Sequence, residues 1–337
     1  MGLKLKSPLI IGSSGLSGST ESIKKIPAEG VGAIVLKSIF EEQIRIETEK
    51  MLKDKKNVKL QPMLTGYDEI ISNRPYDYSE ALDYMSNFAK EQTLGNYLKF
   101  ISMVKKALNI PVIPSINCTS AYDWHYFARR IQEAGADALE LNIYILPSDF
   151  HHTTLQVEKI YTEIIEAVKS QITIPFALKI GYYFTDLASK IVELSKAGPS
   201  ALVLFNRPYS PDIDIDTFEF TGGNVFSSPA DYVQTLRWIG IVSGRVNCDL
   251  SAASGVHNAQ TFIKMLLAGA KTVQITSALF QDGFEKIPEI ISGLQAWMEK
   301  HNFKSIDDFR GKMNQANIAN PADYERVQFM KLYSGIV

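Results

Sequence analysis

The stretch LAGAKTVQI (267–275) reads as a helix that stops at Gly269 and a buried strand that starts two residues later. Glycine has no Cβ, so the left-handed conformation that ends a helix costs it little, and the short apolar run behind it suits a strand covered on both faces. The same phrase recurs at AEGVGAIVL (28–36), EAGADALEL (133–141) and KAGPSALVL (196–204). Each apolar run gives way to polar residues within two positions: Lys37 and Ser38, Asn142, Asn206 and Arg207, Thr276 and Ser277. Four αβ units ending this way predict a ring of parallel strands whose chemistry collects at the strands' carboxyl ends.

Working outward, apolar runs bounded by Pro, Gly or Asn stand at PLIIG (8–12), PVIPSIN (111–117), PFALKIG (175–181) and VNCDLSA (246–252), and they interleave with the first four. Helical patterns fall between them at 94–108, 119–134, 153–170, 185–197, 229–240, 257–268 and 285–301, with Thr119 and Thr185 as candidate caps. The expected fold is one α/β domain over 1–337, a (β/α)8 TIM barrel. Two stretches break the rhythm: 51–93, after the second strand, and 207–228, after the sixth. Both are expected as insertions on the carboxyl-end rim, where walls and lids of a site are built.

Composition excludes several classes. A net charge of −2 gives no electrostatic case for nucleic acid or an anionic membrane, and no uncharged segment is long enough to span a bilayer. The two cysteines, Cys118 and Cys248, have neither disulfide nor zinc spacing, which with the lack of a leader fits a cytoplasmic setting. His151-His152 is expected as the solvated start of a helix and not as a metal pair, because adjacent residues face different ways; no metal is expected. DIDID (212–216) alternates with Ile and is expected as a short, wet edge strand.

At the strand ends, Ser254-Gly255 opens one helix and Thr276-Ser277 another, so backbone N–H groups and a helix start should converge on a phosphate. The competing reading is a plain glycine turn with a capping serine. Lys37 and Lys179 end apolar strands, where an ammonium is costly unless it faces a cavity or a partner. Asn117, Asn142 and Asn206 add amides able to grip a planar heterocycle with alternating N–H and C=O groups.

The sequence resembles the FMN-dependent dihydroorotate dehydrogenase family, in its soluble class 1-like form, along nearly the whole barrel. The resemblance is best at AIVLKS (33–38), GADALELN (135–142) and SGVHNAQTFIKMLLAGAKTVQITSALFQDG (254–283), and continues into KSIDDFRGK (304–312). It implies an FMN enzyme of pyrimidine biosynthesis in which hydride passes from dihydroorotate to flavin N5, giving orotate. It implies Ser13 and Ser14 against the flavin, Lys37 on both flavin and substrate, and Lys179 at the pyrimidine end of the ring system, where a cation stabilises reduced flavin. Ser38, Asn117 and Asn142 join the cofactor-binding residues; Ser254, Gly255, Thr276 and Ser277 hold the phosphate; Asn142 and Asn206 bind substrate; a homodimer is implied.

The sequence departs from the family at the base. Where the family carries an Asn-x-x-(Cys/Ser)-Pro-Asn pattern, this chain reads NIYILPSDF (142–150), with Ile145 near the base position. Tyr144 and Ser148 are the alternatives for proton transfer, and Ser148 could equally cap the following helix. The other readings of the barrel are an FMN oxidoreductase acting on another small cyclic amide or enone, a phosphate-binding lyase using Lys179 or Lys37 as a Schiff base, and a flavin-binding protein without turnover.

Overall fold

In a computed structural model, residues 1–27, 29–40, 46, 77–117, 123–207, 210–223 and 225–325 are described. Their strands are β1 (Leu9–Ile11), β2 (Ala33–Val35), β3 (Ile39–Phe40), β4 (Val112–Ile113), β5 (Ser115–Asn117), β6 (Leu139–Ile143), β7 (Phe176–Ile180), β8 (Ala201–Leu204), β9 (Pro211–Ile213), β10 (Phe220–Gly222), β11 (Asp249–Ala253) and β12 (Thr272–Ile275). Around the ring, β1 pairs with β2, β2 with β4, β3 with β5, and then β5, β6, β7, β8, β11 and β12 pair in turn, every pair parallel. Pairing of β12 with β1 closes it. β2 and β3 are two pieces of one stave, and β4 and β5 two pieces of another, broken at Pro114, which has no N–H to give a ladder. The result is the eight-staved parallel barrel that the glycine phrases predict.

Helices α1 (Thr20–Lys24), α2 (Asp77–Ala107), α3 (Asp123–Glu133), α4 (Thr154–Lys169), α5 (Leu187–Ala197), α6 (Tyr232–Val242), α7 (Ala259–Ala268), α8 (Ser277–Asp282) and α9 (Lys286–Lys300) accompany the strands. Alternation along the strands divides the core. Leu9, Ile11, Ile34, Leu141, Leu178, Leu202 and Val273 belong to the large cluster that packs with the helices. The intervening positions, Ile10, Ala33, Val35, Ile113 and Ala138 on one side and Ala177, Ala201, Val203 and Ala253 on the other, form two small clusters inside the ring. Because so many of these are alanine, the amino-terminal half of the interior keeps a cavity of about 540 Å³.

Several local expectations are corrected. The helix expected over 94–108 starts at Asp77, inside the stretch 51–93; no proline interrupts the chain between Pro75 and Pro111, and residues 51–76 lie outside the described ones. The cap of α5 is Asp186, not Thr185, its carboxylate accepting from the Ser189 N–H at 3.3 Å. The cap of α4 is Thr153, not Ser148: its hydroxyl accepts from the Gln156 N–H, and the Gln156 amide oxygen accepts from the Thr153 N–H. Thr119 and Cys118 lie outside the described residues. The DIDID stretch contributes β9, which pairs antiparallel with β10 off the barrel, but it turns at Asp214, whose carboxylate accepts from the N–H groups of Asp216 and Thr217.

Candidate active site

At the carboxyl ends of the staves lies a cavity of about 220 Å³ lined by Ser13, Lys179, Asn206, Ser254, Gly255, Thr276 and Ser277 among others. Seven of the residues singled out from sequence therefore meet in one place, brought from five different strand ends. The backbone explains how. Gly255 has φ of 76° and Ser254 of 80°, the left-handed pair that folds the chain from β11 back toward α7, and a Cβ on Gly255 would collide with the backbone N of Tyr232. Ser254 Oγ donates to the Phe205 carbonyl at 3.1 Å, tying this turn to the end of β8. Thr276 precedes α8, whose first N–H groups lack intrahelical acceptors and face the same end of the barrel.

Beneath the cavity runs a chain of polar side chains across the barrel. Ser13 Oγ accepts from the Ser38 N–H at 3.0 Å, and Ser38 Oγ meets Ser115 Oγ at 2.8 Å. Ser115 Oγ donates to Glu140 Oε1 at 3.5 Å, Gln274 Nε2 donates to Glu140 Oε2 at 2.7 Å, and Lys179 Nζ donates to Gln274 Oε1 at 3.3 Å. Tyr97 Oη accepts from the Ser115 N–H, and burial pushes its hydroxyl well above the usual tyrosine range. Thus Ser38 enters through Ser13, and the cost of burying the Lys179 ammonium at an apolar strand end is met by partners.

Toward the rim, Asn206 Nδ2 donates to Asn142 Oδ1 at 2.9 Å, joining the carboxyl ends of β6 and β8 across the intervening β7. Tyr144 follows Asn142 on the same side of the chain and lies against Gly181, in edge contact with Tyr183, while Tyr183 packs on Tyr182. Tyr182 and Tyr183 stand exposed at the rim, and partial desolvation raises both above the ordinary tyrosine value. Ile145 packs against the main core. Ser148 is exposed. Lys37 is also exposed and outside the cavity lining; its stem lies along Gly18, where a Cβ would come within 2.9 Å of Lys37 Cδ. Asn117 ends β5, half-buried, opposite Phe40.

Two contributors carried no sequence signal strong enough to single them out, and a third, Arg207, is marked in the sequence only as a polar residue closing its strand. Ser227, from the 207–228 stretch, donates its N–H to Ser277 Oγ at 2.9 Å and hydrogen-bonds His257 Nε2 through its hydroxyl at 2.9 Å. His257 is buried, and desolvation lowers its pKa despite the raising influence of Asp282. Arg207 lines the cavity and is braced by the Val225 carbonyl and Asp231. His257 stands two residues past Gly255, which was the available clue.

The site suits an anionic, planar cofactor on its own chemistry. One end of the cavity is walled by hydroxyls and a left-handed turn, with no carboxylate in the lining among the described residues. Ser14 Oγ is buried with no protein partner among the described residues. Gly12 is held so close to β12 that a Cβ would fall 2.5 Å from Thr276 Oγ1, so the floor stays open only to glycine. A closed parallel barrel with hydroxyls, a left-handed turn and a lysine gathered at its strand ends has the makeup of a cofactor-binding α/β barrel.

The sequence model of the family described as dihydroorotate dehydrogenase matches residues 79–298, more than half of the chain. The chain is 27% identical over 320 residues to the catalytic subunit of dihydroorotate dehydrogenase B (NAD(+)) of Thermoplasma acidophilum, covering 92% of this chain and 96% of that one. It is 29% identical over 226 residues to the putative dihydroorotate dehydrogenase A (fumarate) of Aeropyrum pernix, covering 65% and 72%. With the Pyrococcus abyssi catalytic subunit of dihydroorotate dehydrogenase B it shares 25% over 316 residues, covering 92% and 96%. The chain belongs to the dihydroorotate dehydrogenase family, flavin-dependent oxidoreductases acting on CH–CH donors. Among the described residues no helix is long and apolar enough to cross a membrane.

Proposed function

We propose that this chain binds FMN and oxidises dihydroorotate to orotate in pyrimidine biosynthesis, as one barrel whose rim stretch 207–228 walls the site. The observation that carries this is the meeting of Ser254, Gly255, Thr276 and Ser277 with Lys179 and Asn206 around one cavity. The two serines, the threonine and the turn at Gly255 hold the phosphate, with Ser227 closing it from the rim. Lys179 lies under the pyrimidine end of the ring system, Ser13, Ser14, Ser38 and Asn117 line its remaining edge, and Lys37 contacts flavin and substrate from the rim. When bound, FMN supplies the hydride acceptor at N5.

The Asn142–Asn206 pair orients the substrate ring through amide donors and acceptors. Proton transfer falls to Tyr144 in preference to Ser148: Tyr144 stands two residues past Asn142, half-buried with its ring against Tyr183, whereas Ser148 is exposed. The protein is cytoplasmic and a homodimer in this reading, taking a small-molecule substrate. The purified protein should be yellow and release FMN on denaturation, and dihydroorotate should bleach it without oxygen. Tyr144→Phe should slow that bleaching about 10²–10⁴-fold while Ser148→Ala leaves it unchanged; equal rates for both would remove Tyr144 from the role.

The second reading, oxidation of another small cyclic amide or enone on the same FMN, is favoured by one observation. The aliphatic Ile145 stands near the position of the family's base and packs, half-buried, against the core. A yellow protein inert to dihydroorotate and bleached by such a compound would select it.

A further inference from the structure

Glu140 lies in the middle of β6 with its side chain inside the ring, 1% exposed. Both of its carboxylate oxygens accept hydrogen bonds, Oε2 from Gln274 Nε2 at 2.7 Å and Oε1 from Ser115 Oγ at 3.5 Å, a pattern that fits the ionised form. Lys179 Nζ stands 3.9 Å from Oε1 and donates to Gln274 Oε1 at 3.3 Å. The register makes room for this. Glu140 faces Ala177 across β6 and β7, and Gln274 faces Ala253 across β12 and β11, so two small side chains leave space for two long ones to meet over the barrel axis. Gln274 lines both the carboxyl-end cavity and the larger cavity below; Glu140 lines the lower one.

We propose that Glu140 is a positioning residue for the cofactor site, holding Lys179 in place through Gln274 and offsetting its charge, and that it thereby sets the reduction potential of the bound flavin. This rests on the FMN reading above. The ammonium favours reduced flavin, which carries negative charge; a carboxylate beneath it, close enough to cancel part of its field, weakens that preference. The floor of the site is thus one cation and one anion bridged by an amide, and the balance between them fixes how readily the flavin gives its electrons on. A carboxylate that only completed the packing would not alter a potential in a direction set by charge.

The test is a redox titration of FMN-loaded wild type, Glu140→Gln, Lys179→Met and the double variant, with the affinity for oxidised FMN measured alongside by fluorescence. Glu140→Gln should move the potential positive by at least the equivalent of a tenfold gain in relative binding of reduced flavin, about 30 mV for a two-electron couple. Lys179→Met should move it negative. The double variant, neutral where the wild type is a neutral pair, should lie between the two single ones. A Glu140→Gln protein that holds FMN at the wild-type potential overturns the proposal. If that variant does not fold, the double variant decides, since removal of both charges of a buried pair is better tolerated than removal of one; a potential as low as that of Lys179→Met would overturn it. A wild type that binds no FMN removes the flavin reading and this proposal together, whereas a yellow wild type with an unmoved variant removes this proposal alone.

Discussion

Gly255 is the residue on which the turn from β11 toward α7 depends. Its φ of 76° is cheap only for glycine, and an added Cβ would meet Tyr232 N, Asp231 C and Tyr232 Cα, which are backbone and cannot rotate away. Gly255→Ala should therefore cost about 3 kcal/mol, from left-handed strain plus overpacking. The variant should purify colourless or lose its flavin on dilution, a result read from its absorption spectrum and melting temperature. Much at this scale was legible. Gly255, Ser277 and Lys179 stood out because a glycine after a strand and a lysine at its end are expensive or pointless without a local reason. Glu140 did not stand out: inside ALELN (138–142) it reads as one more alternating position, and only its partner 134 residues away explains its burial.

At the scale of elements, hydrophobic period placed nearly every stave and helix, while ends were decided by particular hydrogen bonds. Thr153 and Gln156 form a reciprocal cap on α4, and the residues before it, from Leu146 to Thr153, are exposed. Thr153→Ala should cost about 1 kcal/mol in chemical denaturation, whereas Ser148→Ala should stay within about 0.5 kcal/mol of wild type. The reverse order would restore Ser148 as the cap. The β9–β10 hairpin shows the limit of pattern reading from the other side. Alternation in DIDID announced a strand, but both of its faces are wet, so no buried face held the register and Asp214 turned the chain instead. Pro114 likewise splits a stave that the apolar run alone would have drawn as continuous.

For the whole molecule, stability and site are coupled where the rim stretch meets the barrel. His257 hydrogen-bonds Ser227 from the rim, follows the turn after β11, and feels Asp282 at the end of α8. Desolvation holds its folded pKa below the ordinary value of 6.5, so the neutral ring is the folded form. The unfolded chain takes up the proton first as pH falls, which means this contribution is intact above about pH 6.5 and is lost progressively below it. Melting temperature measured between about pH 7.5 and 5 should fall, and His257→Gln should flatten that fall; parallel curves would exclude His257 as a source.

By itself the sequence determined the αβ repeat, the parallel ring and the polar residues at its strand ends, because glycine caps, apolar period and polar residues closing each strand are properties of short stretches. The tertiary structure alone decided that Ser227 bonds both Ser277 and His257 beside the turn at Gly255, that the Tyr144 ring meets Tyr183, and that Glu140 lies beneath Lys179. Those depend on ring closure and on register between strands far apart in the chain, and contacts across a barrel axis leave no local periodicity to read.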